Sequence, residues 1–316
     1  MNKVSILIPC YNGLRYIERC MNSILNQSYD LIEAIVVNDG STDSSEEEIL
    51  KFTERFKARG YKLKYKEKTN GGAASAIKVA LSMIDTEYFM LLDIDDYLFP
   101  RGIEVLVKLL DSNKDYTAVR GNGYFVDESN LDKINGEFIK SYSEKKKEDI
   151  FEDLVYSRTY NWAGSYMVRT ISYFEIIKSI GFVESKYGQN LQILLPISYK
   201  KKVGYVDYHV MKYIKNSNSF TNVNDFEKKM KFYEGIKKIR VDILNSLNAN
   251  CKEYEGYLNV QCLRMKLALC YEYRKKEESR KVLKLIKGVN KLNKSDLILY
   301  LATQSYTINK IYNSVK

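Results

Sequence analysis

The stretch Val4-Ser5-Ile6-Leu7-Ile8-Pro9-Cys10-Tyr11-Asn12 decides the fold of this chain. A short β-branched run of buried-strand type ends abruptly in polar residues. Leu14, Ile17, Met21, Ile24 and Leu25 then follow at helical spacing, with Asn12 in the position of an N-cap. The same order repeats downstream. Glu33–Val37 is a second apolar run, and Ser44 and Ser45 with Glu47 and Glu48 three residues on predict a capping box for the next helix. Tyr61–Lys66 alternates as a strand, Ala73–Ile84 is an alanine-rich helix, Tyr88–Leu92 is another apolar strand, and Gly102–Leu110 is a helix behind Pro100. Strands alternating with helices imply an α/β architecture: a Rossmann-like, mostly parallel sheet with helices on both faces.

Further along, residues 117–127 and 163–169 have strand character, and Glu148–Tyr156 and Ser172–Ile180 have helical character. Gly188–Lys200 and Val203–Asp207 add one more helix–strand pair. Beyond about residue 216 strand signals vanish. Phe226–Leu247, Tyr254–Glu272, Ser279–Val289 and Leu297–Tyr312 are expected to form a C-terminal helical region. The polar segments Asn216-Ser217-Asn218-Ser219 and Asn222-Val223-Asn224 mark the boundary, giving expected domains of 1–218 and 219–316.

Composition narrows the function classes. The five cysteines, Cys10, Cys20, Cys251, Cys262 and Cys270, show no paired spacing and suit reduced, mostly buried thiols in a cytoplasmic protein. A single histidine argues against a Cys/His zinc site. Neither a leader-peptide core nor an apolar run of membrane-spanning length is visible, so a soluble or peripheral protein is expected. Residues 225–316 carry 20 Lys and Arg against 10 Asp and Glu, which is the whole +10 of the chain. Such asymmetry points to an anionic surface, here the inner face of the plasma membrane, with a solvated lysine-rich face as the alternative. Leu258, Cys262, Met265 and Leu269 would equally serve a homo-oligomer contact or packing on the first domain. Nucleic acid is not an expected partner, because the tail lacks interleaved aromatic and basic residues.

In open α/β sheets ligands gather at the carboxyl ends of the strands. Those ends carry Pro9-Cys10-Tyr11-Asn12, Asn38-Asp39-Gly40-Ser41 and Asp93-Ile94-Asp95-Asp96. Three carboxylates within four residues repel one another, and a divalent cation relieves that cost. Carboxylate oxygens suit Mg2+ or Mn2+, which also bridge diphosphate oxygens. A helix N-cap would explain one Asp, not three. Asp39 is suited to accept from a base edge or a ribose hydroxyl, or to make a simple Asp-Gly turn. Asn70-Gly71-Gly72 precedes a helix, where glycines admit close approach of a phosphate or ribose, although a plain loop has the same composition. The glycine signatures of dinucleotide-binding and P-loop proteins are both missing.

Four blocks carry a resemblance. They are Ser5-Ile6-Leu7-Ile8-Pro9-Cys10-Tyr11-Asn12, Ser23-Ile24-Leu25-Asn26-Gln27-Ser28, Val37-Asn38-Asp39-Gly40-Ser41-Thr42-Asp43 and Asp93-Ile94-Asp95-Asp96. In this order and spacing the chain resembles family 2 glycosyltransferases of the GT-A fold, common in bacterial surface-polysaccharide synthesis, over roughly residues 1–215. The resemblance implies inverting transfer, usually from a UDP-sugar donor, with Mn2+ or Mg2+, onto a glycan, lipid-linked or glycoprotein acceptor. It places Pro9, Tyr11, Asn12 and Asp39 on the nucleoside side, with Asn70, Gly71 and Ile94 lining the donor pocket; Lys78 is suited either to bring a positive charge to that pocket or to face solvent on its helix. Asp93 and Asp95 fall to the ribose and metal–diphosphate. His209 is a further candidate metal ligand, although a lone histidine near a strand end more often has a structural role. Trp162 is suited either to stack on an acceptor sugar or to pack under the sheet.

Two departures stand out. Family members usually carry an acidic pair opening a helix after a Gly-Phe block, with its Asp as base. Here Gly181-Phe182 is followed by Gln189-Asn190, and amides are not bases at neutral pH. Glu184 is the nearest carboxylate in sequence, so Glu184, Gln189 and Asn190 are the candidate catalytic residues. Secondly, the family often has an Arg-Asn pair where this chain has Ile77-Lys78. The missing acidic pair leaves an alternative: a non-catalytic nucleotide-sugar-binding homologue, or a partner subunit of a glycosyltransferase complex.

Overall fold

The computed structural model describes residues 2–216, 225–305 and 308–310. The first half of the chain alternates as its periodicity requires: β1 (Val4–Cys10), α1 (Leu14–Leu25), β2 (Ile32–Asn38), α2 (Ser45–Leu50), α3 (Thr53–Ala58), β3 (Lys62–Glu67), α4 (Ala73–Leu81), β4 (Tyr88–Leu91), β5 (Tyr97–Leu98) and α5 (Gly102–Ser112). Then come β6 (Tyr116–Asp127), β7 (Asn130–Glu137), α6 (Tyr142–Lys145), α7 (Phe151–Val155), β8 (Tyr166–Arg169), α8 (Thr170–Ile180), α9 (Gln189–Ser198) and β9 (Lys202–Lys215). Four helices complete the described chain: α10 (Phe226–Ser246), α11 (Cys251–Glu272), α12 (Lys276–Val289) and α13 (Lys294–Gln304).

All nine strands form one sheet in the order β3-β2-β1-β4-β8-β6-β9-β5, with β7 on β6. Pairing is parallel through β3-β2-β1-β4 and between β6 and β9, while β8 enters antiparallel between β4 and β6. β1 is buried on both faces, which explains its continuous apolar run. Val4, Ile6 and Ile8 pack with Ile17, Met21 and Ile24 of α1 and with Leu106 and Leu110 of α5. On the other face Ser5 is satisfied by Thr86 at 2.8 Å and Glu33 at 3.3 Å.

The structure revises several local expectations. Asn12 does not cap α1. It sits at φ 48, the cap position falls on Gly13, and the Leu14 N–H is taken by Asp43 at 3.2 Å. The capping box at Ser44 is likewise replaced, with Asp43 accepting from the Ser45 N–H at 3.1 Å. β9 runs to Lys215 rather than ending at Asp207, because its ladder with β6 continues across two irregularities.

The chain divides into two compact units, 1–217 and 218–316. From residue 217 to 224 the expected boundary loop lies outside the described residues. In the second unit Leu267 and Cys270 of α11 pack with Val282 and Ile286 of α12. The start of α13 is fixed by a capping box between Asn293 and Asp296. Buried Asp296 also receives the Arg264 guanidinium through both oxygens, at 3.0 and 3.1 Å. No helix among the described residues is long and apolar enough to cross a membrane.

Candidate active site

β1 is flanked by β2 on one side and β4 on the other, so the chain reverses its direction of travel across the sheet between β1 and β4. A crevice opens at the carboxyl ends of strands at such a switch point. The segment after β1, Tyr11–Gly13, and the segment after β4, Asp93–Asp96, both lie there. They are pressed together: a Cβ on Gly13 would stand 2.8 Å from Cys10 Sγ and 3.3 Å from Ile94 Cγ1. Pro9 belongs to β1 itself, and Tyr11 is about half exposed, at 53%. Asn12 accepts from the Thr42 N–H at 2.8 Å, joining the β1 end to the loop after β2.

Asp39 is buried and heavily engaged. It accepts from the Gly71 N–H at 3.0 Å, the Gly72 N–H at 2.7 Å and the Lys68 ammonium at 2.6 Å. The Asn70 side chain donates to the Asp39 carbonyl at 3.0 Å. Gly40, at φ 70, permits the contact, since a Cβ there would lie 2.8 Å from the Asn70 nitrogen. A carboxylate offers about four acceptor positions. Three are filled, two by the Gly71 and Gly72 N–H groups at the start of α4 and one by Lys68, so Asp39 shapes the crevice wall before it meets any ligand.

The carboxylate cluster carries the strongest electrostatic signal. Burial pushes the Asp93 carboxyl up to about 7, and the neighbouring Asp95 charge adds to it. Asp95 is also raised, chiefly by burial, although Arg19 and the Asn216 amide, which donates at 2.7 Å, oppose the shift. Asp96 is fully buried and raised well above the ordinary carboxylate range, by burial and then by Asp95 and Asp93. One Asp96 oxygen accepts from the Ile214 N–H at 3.0 Å, and the other has no hydrogen-bond partner. Asp96 is therefore anchored to β9, whereas Asp93 and Asp95 retain acceptor capacity.

The residues do not form a prebuilt metal cage. No group of three or more Asp, Glu, His or Cys side chains among the described residues converges on one point. They fit a cation completed by substrate, since Mg2+ is commonly held by one or two carboxylates plus substrate phosphates. His209 does not join Asp93 and Asp95. It lies within β9, stacked on Tyr124 at 3.9 Å between ring centroids and 3.5 Å from Glu137. At about 3.3 Å per strand residue it is roughly 20 Å along β9 from Asn216, which reaches Asp95.

At α9 the structure links Asn190 to the cluster. The Tyr166 hydroxyl donates to Asn190 Oδ1 at 3.0 Å, and burial, then Asp93, keep that hydroxyl protonated. Gln189 opens α9 beside it, after Gly188 in the left-handed region. Glu184 is exposed and forms an ion pair with Lys78 of α4, so two residues expected at the site meet each other. Trp162 packs on Tyr213 with centroids 4.7 Å apart, and Tyr213 feels all three aspartates. Lys68, Asn216, Arg19, Tyr166 and Tyr213 carried no local motif. Each joins the site through a partner between 24 and 121 residues away where a bond is formed. A separate concavity of about 760 Å³, lined by Glu87, Arg169 and Phe174 among others, lies at the opposite end of β4.

The model of glycosyl transferase family 2 matches residues 5–169. The chain belongs to this family. Among relatives, an uncharacterized glycosyltransferase of Rickettsia conorii is 42% identical over 127 residues, 40% of this chain and 20% of that protein. The chain thus spans only about a fifth of that relative's length. S. aureus TarS 1-349, solved in complex with UDP-GlcNAc, superposes with TM-score 0.59 at 18% identity, covering 95% of this chain and 79% of the other. The mannosyltransferase PcManGT from Pyrobaculum calidifontis, solved with GDP-Man and Mn2+, superposes with TM-score 0.59 at 15% identity, covering 99% and 82%. These likenesses show a GT-A fold for this family member.

Proposed function

We propose that this glycosyltransferase is an inverting hexosyltransferase that moves a sugar from a UDP-sugar to a glycan, lipid-linked or glycoprotein acceptor, assisted by Mn2+ or Mg2+. The observation that carries the proposal is the crowding of Asp93, Asp95 and Asp96 at the switch point, with all three pKa values raised. Raised carboxyls that retain acceptor capacity favour a cationic ligand. The UDP-GlcNAc bound to TarS supports a UDP-sugar donor and the Mn2+ bound to PcManGT supports a metal, although PcManGT itself carries GDP-Man.

Asp93 and Asp95 would hold the cation together with the donor diphosphate. When bound, it would supply Lewis-acid neutralisation of charge on the leaving group. Tyr11, with its exposed ring, would cover the uracil. Pro9, Asn12, Asp39 and the Asn70-Gly71 backbone would frame the ribose, with Ile94 closing the floor. In the transfer, the acceptor oxygen bonds to the anomeric carbon as the bond from that carbon to the diphosphate oxygen breaks. Attack opposite the leaving group inverts the centre. The acceptor proton passes to Glu184, which Lys78 orients, while Gln189 and Asn190 position the acceptor through their amides. Trp162 and Tyr213 offer ring faces for the acceptor sugar.

A panel of nucleotide sugars with Mn2+, read as released UDP, tests this. Turnover should appear with one or more UDP-sugars, and Asp95→Ala should abolish Mn2+-dependent donor binding. Glu184→Gln should lower turnover on the order of 100-fold or more. The amide pair at Gln189-Asn190 favours a second reading, a non-catalytic nucleotide-sugar-binding homologue or partner subunit. UDP-sugar binding without release from any donor, with or without acceptor, would establish it in place of the first.

A further inference from the structure

The second unit presents a surface that the transfer chemistry does not use. α13 buries Asp296, Ala302 and Thr303, which turns Leu297, Ile298 and Leu301 outward at 44%, 43% and 46% exposure. α12 buries Ser279, Val282 and Ile286, which turns Arg280, Lys284 and Lys287 outward. The helices are antiparallel, because Gln304 near the end of α13 donates to the Lys276 carbonyl at 3.0 Å and to the Ser279 hydroxyl at 2.8 Å, at the start of α12. At about 100° per residue, and with opposite chain directions, the outward faces beyond that contact lie on the same side of the helix pair. A basic ridge therefore runs beside an apolar ridge, with exposed Lys291 and Lys294 at the connection.

The lysine charge on this face is uncompensated. Lys284, Lys287, Lys291 and Lys294 form no ion pair among the described residues. Glu277 is held by Arg280, and Asp296 is buried under Arg264. A second copy of the chain is a poor occupant, since a two-fold contact would set the unpaired lysines either against each other or against the partner's leucines, with no counter-charge in either case. Lysines beside a shallow apolar strip match the layered chemistry of a bilayer surface, where phosphates lie outside an acyl boundary.

We propose that the α12–α13 face docks on an anionic phospholipid bilayer, with the lysines at headgroup phosphates and Leu297, Ile298 and Leu301 at the acyl boundary. The proposal stands independently of the transferase assignment. Its test is co-sedimentation of the full chain with phosphatidylcholine vesicles, with and without phosphatidylglycerol, at low and physiological salt. Binding should require phosphatidylglycerol and weaken with salt. Each lysine is worth about fivefold in affinity at such a surface, so Lys284→Gln with Lys287→Gln should weaken binding roughly 25-fold. Leu297→Ser with Leu301→Ser should weaken it at both salt concentrations. All four side chains are exposed, so helical circular dichroism should not change, and UDP release in solution should be unaffected. Equal binding to both vesicle types, wild-type binding by the lysine variant, or a dimer abolished by the leucine variant without vesicle binding would each overturn the proposal.

Discussion

Replacing Asp39 by Asn tests whether this residue is first a structural clamp. The native carboxylate uses one oxygen for Lys68 and the Gly71 N–H and the other for the Gly72 N–H. An amide of the same shape keeps one acceptor and turns its NH2 towards a donor on the other side. One buried donor is then left unsatisfied, at about 1–3 kcal/mol. The Lys68 ammonium also loses its counter-charge. Breaking a fully buried pair costs about 3–5 kcal/mol, but the Lys68 side chain is 18% exposed and can swing into water, so its share falls to about 1 kcal/mol. The expected loss is about 3 kcal/mol. For a unit of this size that corresponds to a fall in Tm of about 6–12 °C. The chain has one tryptophan, Trp162, and it lies in the first unit. Urea unfolding followed by its fluorescence therefore reports this unit alone, which matters because a two-unit chain need not unfold in one step. The midpoint should fall with the slope unchanged. Lys68→Met should also destabilise, and the double variant should lose less than the sum of the two. A loss below about 1 kcal/mol for Asp39→Asn would refute the clamp and leave Asp39 as a ligand group only.

Tyr166→Phe removes the donor to Asn190 and leaves a partly buried carbonyl unsatisfied, so unit 1 should lose about 1 kcal/mol in the same urea assay and turnover should fall more than donor affinity. For Asp93, a folded pKa of about 7 lies above the unfolded value of about 3.9, so the native state holds more protons in that window. Metal-free protein should therefore lose stability as pH rises from about 4 to about 7, and Asp93→Asn should flatten the profile; equal pH dependence in both proteins would contradict this. Burial pushes the Cys10 and Cys270 thiols up to about 11 and Cys20 well above its usual range, so at pH 8 Ellman's reagent should react rapidly with Cys251 alone among the five cysteines, and with all of them in denaturant. Asp296→Ala strips Arg264 of its partner and α13 of its capping box, so the helical circular dichroism should melt earlier by about 2 kcal/mol while Trp162 fluorescence is unmoved.

The parts of this fold legible in the sequence are those in which a local period and a tertiary requirement agree. β1, β2 and β4 are buried on both faces, and α1 places its apolar residues against them, so short windows suffice. The errors fall where a distant residue overrides the local pattern. Asn12 and Ser44 have the composition of N-caps, yet Asp43 serves both helix starts from one position, binding Leu14 across the loop and Ser45 beside it. β5 is too short for any period, and β7 is mostly exposed and polar, held by its pairing with β6 and by Lys212 of β9, which donates to the Leu131 carbonyl at 3.0 Å. Asp207 and His209 interrupt the apolar pattern of β9, so the sequence alone ends the strand too early. Continued pairing with β6 carries the strand six residues past His209 and brings Ile214 and Asn216, rather than the imidazole, to the aspartates.

The same distinction separates the two halves of the candidate site. Crowded aspartates at a strand end are visible in sequence because their electrostatic cost is local: adjacent like charges need a counter-charge whatever the fold. The acceptor half depends on which side chains face that cluster from elsewhere, and sequence spacing is silent there. In the structure the position expected to hold an acidic base is Asn190, and it already accepts a hydrogen bond from the Tyr166 hydroxyl next to Asp93. A carboxylate at this position would add a fourth negative group to a region where burial already raises three. The amide keeps the hydrogen bond to Tyr166 without that repulsion. Glu184, the base in the proposed transfer, is exposed and paired with Lys78. In a chain organised this way, Asn190→Asp should raise the pKa of Asp93 further and, because the same negative field draws a divalent ion more strongly than a proton, tighten Mn2+ binding; unchanged Mn2+ affinity in titration calorimetry would contradict this.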